Sequence, residues 1–186
     1  MKRWKRQLLK LDAKLSKALL IKDQQQAPTW VLKFFAHSGD SWFWLAGLLI
    51  AWLLSEGEWR QRLVFYAVGL VIMAAAVILL KILIRRPRPK GEWGQIYRIT
   101  DPHSFPSGHA ARSATLAVMA IAFGPPWFAI SVALWAPWVG IARVALGVHY
   151  LSDVVAGWSV GVVMGLIAVA MHPVAMQILG YFPFLN

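Results

Sequence analysis

The sequence predicts an all-α fold, a polytopic transmembrane helical bundle of about five spans preceded by an N-terminal amphipathic interfacial helix. Three observations carry that expectation. The 186 residues are 59% hydrophobic with a mean hydropathy of +0.56, more apolar than a soluble domain of this size requires. Of the 11 tryptophans, Trp30, Trp42, Trp59 and Trp127 sit where apolar runs meet charge, as side chains anchored at a bilayer interface do. The apolar runs are separated by charged or proline-rich breaks rather than by a polar domain.

Residues 4 to 19 place Trp4, Leu8, Leu11, Leu15 and Leu19 at spacings of three and four, with lysine and arginine filling much of the rest. That pattern is an amphipathic helix lying on the membrane surface. Its basic start leads into an interrupted apolar face without a cleavage site, so it is not read as a signal peptide. Asp23 to Pro28, with three consecutive glutamines, forms a polar connector. Residues 1–27 are therefore the interfacial helix and connector, and 28–186 the membrane domain.

Trp42 to Leu54 is the first apolar run, 13 residues long, or about 20 Å of helix against about 30 Å of hydrocarbon. Extending it back to Val31 supplies length but draws in Lys33, His37 and Asp40. A short interfacial helix followed by a broken or tilted span fits equally. Leu63 to Ile84 is a clean second span, closed by Lys81 and a proline- and arginine-rich stop. A third runs from about Ser107 to Phe123, Pro125-Pro126 turns the chain, and a fourth covers Trp127 to Ile141. Leu151 to Met171 makes the fifth, and the tail from His172 to Asn186 is expected at the interface. Gly157, Gly161 and Gly165 recur every four residues in the fifth span, a smooth stripe that admits a neighbouring helix.

Formal net charge is +11, from 19 basic and 8 acidic residues. Eight of the basic residues (Lys2, Arg3, Lys5, Arg6, Lys10, Lys14, Lys17 and Lys22) precede Asp23. Aromatic-rich spans and the lack of a polar domain make an anionic lipid bilayer surface, not nucleic acid, the partner of this excess. There is no cysteine, hence no disulfide or thiolate metal site. Multi-pass insertion in the cell (inner) membrane is the expected location. Five spans bring the N-terminus and the polar clusters to one side, and the positive-inside rule would make that side cytoplasmic. Several of those charges have another use below, and the sequence leaves the side open.

Three polar clusters interrupt the apolar segments, and they converge if each span crosses once. Lys81 to Pro89 follows the second span, Phe105 to His109 opens the third, and Ala142 to Asp153 joins the fourth and fifth. Each suits a phosphate. Pro106-Ser107-Gly108-His109 opens a helix, where free N–H groups and the dipole favour an anion and glycine admits it. Lys81, Arg88 and Arg143 are placed to neutralise the remaining oxygens. His149 lies four residues before Asp153, so the carboxylate can accept from one ring nitrogen and leave the other to attack phosphorus. His109 is then the candidate acid. Taken singly, a lysine or arginine at a span end is a topology anchor and a lone histidine a satisfied core residue. An aspartate just inside a span is harder to dismiss, since ionisable groups there mark function. Arg112 and His103 gain no such support, and His37 and His172 are read as interfacial.

Together the clusters resemble the signature motifs of the type 2 phosphatidic acid phosphatase family, which also includes the vanadium haloperoxidases. Lysine, six residues, then arginine-proline is met by Lys81, Arg88 and Pro89. Pro106 to His109 meet the second motif, and Arg143, His149 and Asp153 the third, with Ala142 where the pattern has serine. The resemblance covers residues 81 to 153 and the flanking helices. It implies a phosphohistidine formed on His149, oriented by Asp153, with His109 as acid and then activator of water. Lys81, Arg88, Ser107, Gly108 and Arg143 would hold the phosphate, with no metal or other cofactor. The expected activity is removal of a terminal phosphate from a membrane lipid phosphate. The competing readings are a transferase between two lipids and a non-catalytic membrane component in which His109 and His149 are haem ligands or buried polar residues.

Overall fold

Seven helices make up the described part of the chain in a computed structural model, which describes residues 3–21, 29–90 and 99–182. Lys2, Lys22, the Asp23–Pro28 connector and the last four residues of the tail lie outside them. The helices are α1 (Arg3–Leu19), α2 (Thr29–Ser38), α3 (Ser41–Leu54), α4 (Glu58–Ile84), α5 (Gly108–Phe123), α6 (Pro126–Ala145) and α7 (Leu151–Gly180).

Helix α5 is the axis. It packs most extensively against α7 and α6 and then against α4, and Ala110, Ala111, Ser113, Leu116, Met119 and Ala120 are buried along it. Its small side chains let neighbours come close. The glycine stripe of α7 supplies the other half of that contact: a Cβ on Gly157 would stand 2.5 Å from Ser107 O, and one on Gly161 or Gly165 would run into Ala111 or Val118. Thr115 Oγ1 adds a hydrogen bond to Gly161 O at 3.0 Å. The predicted stripe is thus the α5–α7 interface.

Among the described residues, three helices are long and apolar enough to cross a membrane: α4, α6 and α7. Helix α3 is apolar but shorter, and α5 has 16 residues. A break, not one continuous helix, describes residues 29 to 54, because Gly39 and Asp40 separate α2 from α3. The expected fifth span is exceeded: α7 continues through Pro173 to Gly180 instead of stopping near Met171. A proline costs an interior helix one hydrogen bond, which neighbouring groups re-satisfy in a membrane bundle. Outward-facing Val71, Ile78, Leu79, Leu134, Leu166 and Ile167 stay exposed, leaving an apolar exterior.

Helix α1 inverts the usual arrangement. Its stripe of Trp4, Leu8, Leu11, Leu15 and Leu19 is exposed, while Ser16 on its polar edge is buried. The polar edge docks on the first turn of α7. Asp12 Oδ1 accepts from Ser152 N at 3.0 Å and Ser16 Oγ from Leu151 N at 2.8 Å. These amides have no partner inside α7, so α1 caps α7 from outside.

Candidate active site

All three clusters meet at one end of the bundle, where α3, α5 and α7 begin and α4 and α6 end. Local backbone geometry places each of them. Helix α6 closes with a paired cap at Leu146: Gly147 takes φ 70°, its N–H reaches Val144 O at 2.9 Å, and Val148 N reaches Arg143 O at 3.0 Å. His149 N also donates to Arg143 O at 3.2 Å. The cap therefore folds His149 back beside Arg143. In the next turn Asp153 occupies the third position of α7, and its Oδ2 accepts from Tyr150 N at 2.8 Å. The same oxygen is 3.6 Å from His149 Nδ1.

Helix α4 ends at Arg85 in the left-handed region, φ 51°. The chain then runs extended, with Pro87 bridged to His103 and Ser104 N donating to Arg86 O at 2.8 Å. This pairing brings residues 86–88 alongside 101–104. Lys81 Nζ donates to Asp101 Oδ2 at 2.7 Å and to His103 O at 2.6 Å. Arg88 donates from Nη2 to Asp101 Oδ2 at 2.7 Å, from Nη1 to Val148 O at 3.1 Å, and from Nη1 to His149 Nε2 at 2.9 Å.

Ser107 caps α5, accepting from Ala110 N at 3.5 Å, and its own N–H donates to Asp153 O at 2.9 Å. A Cβ on Gly108 would meet only Val77, at 3.6 Å. Arg143, His149 and Asp153 are at most 1% exposed, and Lys81, Arg88 and Ser107 are buried too. Burial pushes the His149 imidazole well below its ordinary pKa, helped by the charges of Arg143, Arg88 and Lys81. It is therefore neutral at neutral pH, as a nucleophile requires.

The structure thus brings together His149, Asp153, Lys81, Arg88, Ser107, Gly108, His109 and Arg143. Of the two residues without support from pairing, Arg112 donates from Nη1 to Gly39 O, and His103 gives its backbone carbonyl to Lys81. Ala142, where the motif has serine, is buried against Ala36, Leu146 and Val148. His172 stacks on Phe123, ring centroids 4.0 Å apart, inside aromatic packing.

Sequence reasoning missed a ring of acidic partners. Asp101 bridges Lys81 and Arg88. Arg86 donates to Asp153 Oδ1 at 2.9 Å, Ser152 Oγ at 2.6 Å and Asp12 Oδ2 at 2.6 Å, and lies 4.0 Å from the Tyr150 ring. Asp40 Oδ1 is 2.6 Å from His109 Nε2. One signal was available for Asp12, the single acidic residue of a strongly basic helix. A cavity of about 330 Å³ opens beside His149, walled by Ser16 and Lys17 of α1 and by Lys90 and Tyr150.

The family model of the PAP2 superfamily matches residues 62–177 of this chain, a stretch containing all three clusters. The chain belongs to the PAP2 superfamily. It is similar to a lipid A 1-phosphatase of Porphyromonas gingivalis, 33% identical over 58% of this chain but only 23% of that protein's length. A decaprenylphosphoryl-5-phosphoribose phosphatase of Mycobacterium tuberculosis is 34% identical over 71% of this chain and 73% of its own. Among solved structures, the PAP2-type phosphatidylglycerolphosphate phosphatase of Bacillus subtilis superposes with a TM-score of 0.75, at 25% identity, over 89% of this chain and 86% of its own. The matched stretch carries His149, Asp153, Lys81, Arg88 and Arg143, the residues of the first and third motifs.

Proposed function

We propose that this chain is an integral membrane phosphatase that hydrolyses a terminal phosphate from a lipid phosphate or polyprenyl (di)phosphate through a phosphohistidine on His149. The observation that carries the reading is the state of His149. Its Nε2 accepts from Arg88 at 2.9 Å while Nδ1 faces Asp153. A guanidinium only donates, so the lone pair sits on Nε2, turned toward a cation that a phosphate would also meet.

In the first step Nε2 attacks phosphorus and the P–O bond to the lipid breaks. Asp153 stabilises the positive charge that develops on the ring, and His109 protonates the departing oxygen. In the second, His109 takes a proton from water, whose oxygen displaces His149. Lys81, Arg88, Arg143, Ser107 and the Gly108 backbone hold the phosphoryl oxygens, since phosphoryl transfer chiefly needs alignment and charge stabilisation. The relatives' substrates, a lipid A phosphate and a polyprenyl-linked ribose phosphate, share a phosphate on a lipid anchor, and that is the substrate class assigned.

Helices α3 to α7 are read as the five spans, in the cell membrane. Each has one end at the site, which supports a single crossing by each. Helix α1, with its leucine stripe exposed and basic residues around it, is read as lying on an anionic bilayer surface.

The test is phosphate release by detergent-purified protein, with chelator, from a panel of lipid phosphates and diphosphates. Chelator-resistant release lost in His149→Ala is the expected result. Release that survives the substitution removes His149 as nucleophile, and phosphate passing to a second lipid instead of water would make the protein a transferase.

A further inference from the structure

The general acid of that scheme ends on a carboxylate that none of the motifs contains. Asp40, in the turn between α2 and α3, directs Oδ1 at His109 Nε2 (2.6 Å) and Oδ2 at His37 Nδ1 (3.1 Å). Aspartate at the start of a helix ordinarily turns its oxygens onto that helix's own amides. Asp40 stands at the N-cap of α3 and makes no such bond. Both its oxygens are given to histidines instead.

The turn is fixed so that the carboxylate stays there. Arg112, one turn along α5 from His109, donates to Gly39 O. Trp44 Nε1 donates to Ser38 O and Trp135 Nε1 to Ser38 Oγ, both at 2.8 Å. Any side chain at position 39 would collide: a Cβ there would lie 2.7 Å from Val139 and 3.1 Å from the His109 ring. Burial acts to raise the Asp40 pKa, but the bonds and charges of His109 and His37 overcome it and hold the group at about 2. Asp40 is an anion at every working pH.

We propose that Asp40 is a positioning residue for His109, forming with it a second carboxylate–histidine pair that faces His149 and Asp153. The inference rests on the phosphatase reading above. Asp40 fixes the ring by holding Nε2–H, and Nδ1 does the proton transfer. As the His149–phosphorus bond forms and the P–O bond breaks, the electron pair stays on the lipid oxygen, which takes the Nδ1 proton. Water returns a proton to Nδ1 when its oxygen displaces His149. Asp40 remains ionised throughout, orienting the ring and stabilising its cationic form.

A leaving-group comparison separates this role from mere support of the turn. An alkoxide leaving from phosphatidic acid needs the proton, whereas nitrophenolate leaving from p-nitrophenyl phosphate does not. The quantity to read is kcat/KM, which covers only the steps through departure of the leaving group. Asp40→Asn should lower it about 100-fold on phosphatidic acid, the scale of general acid catalysis, and less than about threefold on the aryl phosphate. Equal losses on both substrates, or no loss on phosphatidic acid, would overturn the proposal. Aryl activity also reports that the variant is folded; should Asp40→Asn not fold, Asp40→Ser carries the same comparison with the same outcomes. His149→Ala run alongside should lose both activities, and if it does not, the phosphatase reading fails whatever the Asp40 ratio is.

Discussion

Arg88 donates from Nη1 to Nε2 of His149 across 2.9 Å, while Nδ1 of the same ring lies 3.6 Å from Asp153 Oδ2. Because the guanidinium has no lone pair to offer, the pair defines the tautomer: proton on Nδ1, lone pair on Nε2. Arg88 therefore covers the Nε2 lone pair that the proposed reaction uses. A phosphate arriving at Arg88 would draw the guanidinium toward its own oxygens and uncover Nε2 in the same movement.

That tautomer should persist where an ordinary histidine is half protonated. Burial first, then Arg143, Arg88 and Lys81, lower the His149 pKa well below 6.5. Nitrogen-15 NMR of histidine-labelled protein in detergent should show His149 neutral, with the proton on Nδ1, at pH 6.5. The linkage has a matching sign. The folded pKa lies below the unfolded one, so the stabilisation is present above pH 6.5 and is lost as pH falls, when the unfolded chain takes up a proton that the native site refuses. A His149 signal titrating near pH 6.5 would contradict the electrostatics of the site.

Asp101 occupies the two cations proposed to hold the substrate phosphate, with Oδ2 at 2.7 Å from both Lys81 Nζ and Arg88 Nη2. Its side chain is 42% exposed, so the bridge is screened and contributes on the order of 1 kcal/mol. Removing the carboxylate's charge should therefore help an incoming anion. Asp101→Asn is expected to lower KM and the inhibition constant of inorganic phosphate by about fivefold, the equivalent of that energy. An unchanged phosphate inhibition constant would mean that Asp101 moves with the cations and does not compete.

Helix α1 is joined to the site through Asp12, whose Oδ2 takes bonds from Arg86 and Ser152 while Arg86 also holds Asp153. Burial opposes ionisation of Asp12, but the bonds from Ser152 and Arg86 outweigh it and leave the pKa lowered from 3.8. A lowered carboxylate stabilises above its unfolded value and stops doing so as pH falls through the folded one. A nitroxide at Ala13 should thus be immobile at neutral pH and become mobile only as pH falls below 3.8 and through the lowered folded pKa. Asp12→Ala should mobilise it at neutral pH, with a loss of about 1 kcal/mol for the missing cap of α7. It should lower kcat more than it raises KM, because Arg86, which holds Asp153, is then no longer braced by Asp12.

The motifs were legible because their internal spacings map onto local geometry. His149 and Asp153 are one turn apart, Ser107 to His109 open a helix, and Lys81 and Arg88 flank a helix end. The acidic partners were not legible, because each arrives from far along the chain: Asp40 lies 69 residues before His109 and Asp12 lies 74 before Arg86. Nothing in periodicity reports such pairs. Helix bounds were read most closely where a cap and a proline turn fix them, as at Ser107 and Pro125 around α5, and least closely for α7, which runs on past Met171 to Gly180.

The same dependence of site on packing can be tested at Gly161. Helices α5 and α7 carry His109 and Asp153 respectively, and their separation is set where Gly161 faces the Ala111 carbonyl. Gly161→Val must push these helices apart, breaking the Thr115 bond to Gly161 O, and overpacking of this kind costs about 1–3 kcal/mol. The melting temperature in detergent should fall, and kcat should fall with it because the nucleophile and the acid no longer share one pocket. Gly47 is the control, since nothing lies within 4 Å of a Cβ on that outward-facing residue of α3. Gly47→Ala should leave activity unchanged and raise stability by up to about 1 kcal/mol through helix propensity alone. If Gly161→Val melts and turns over like Gly47→Ala, the glycine stripe does not set the distance between the two halves of the site.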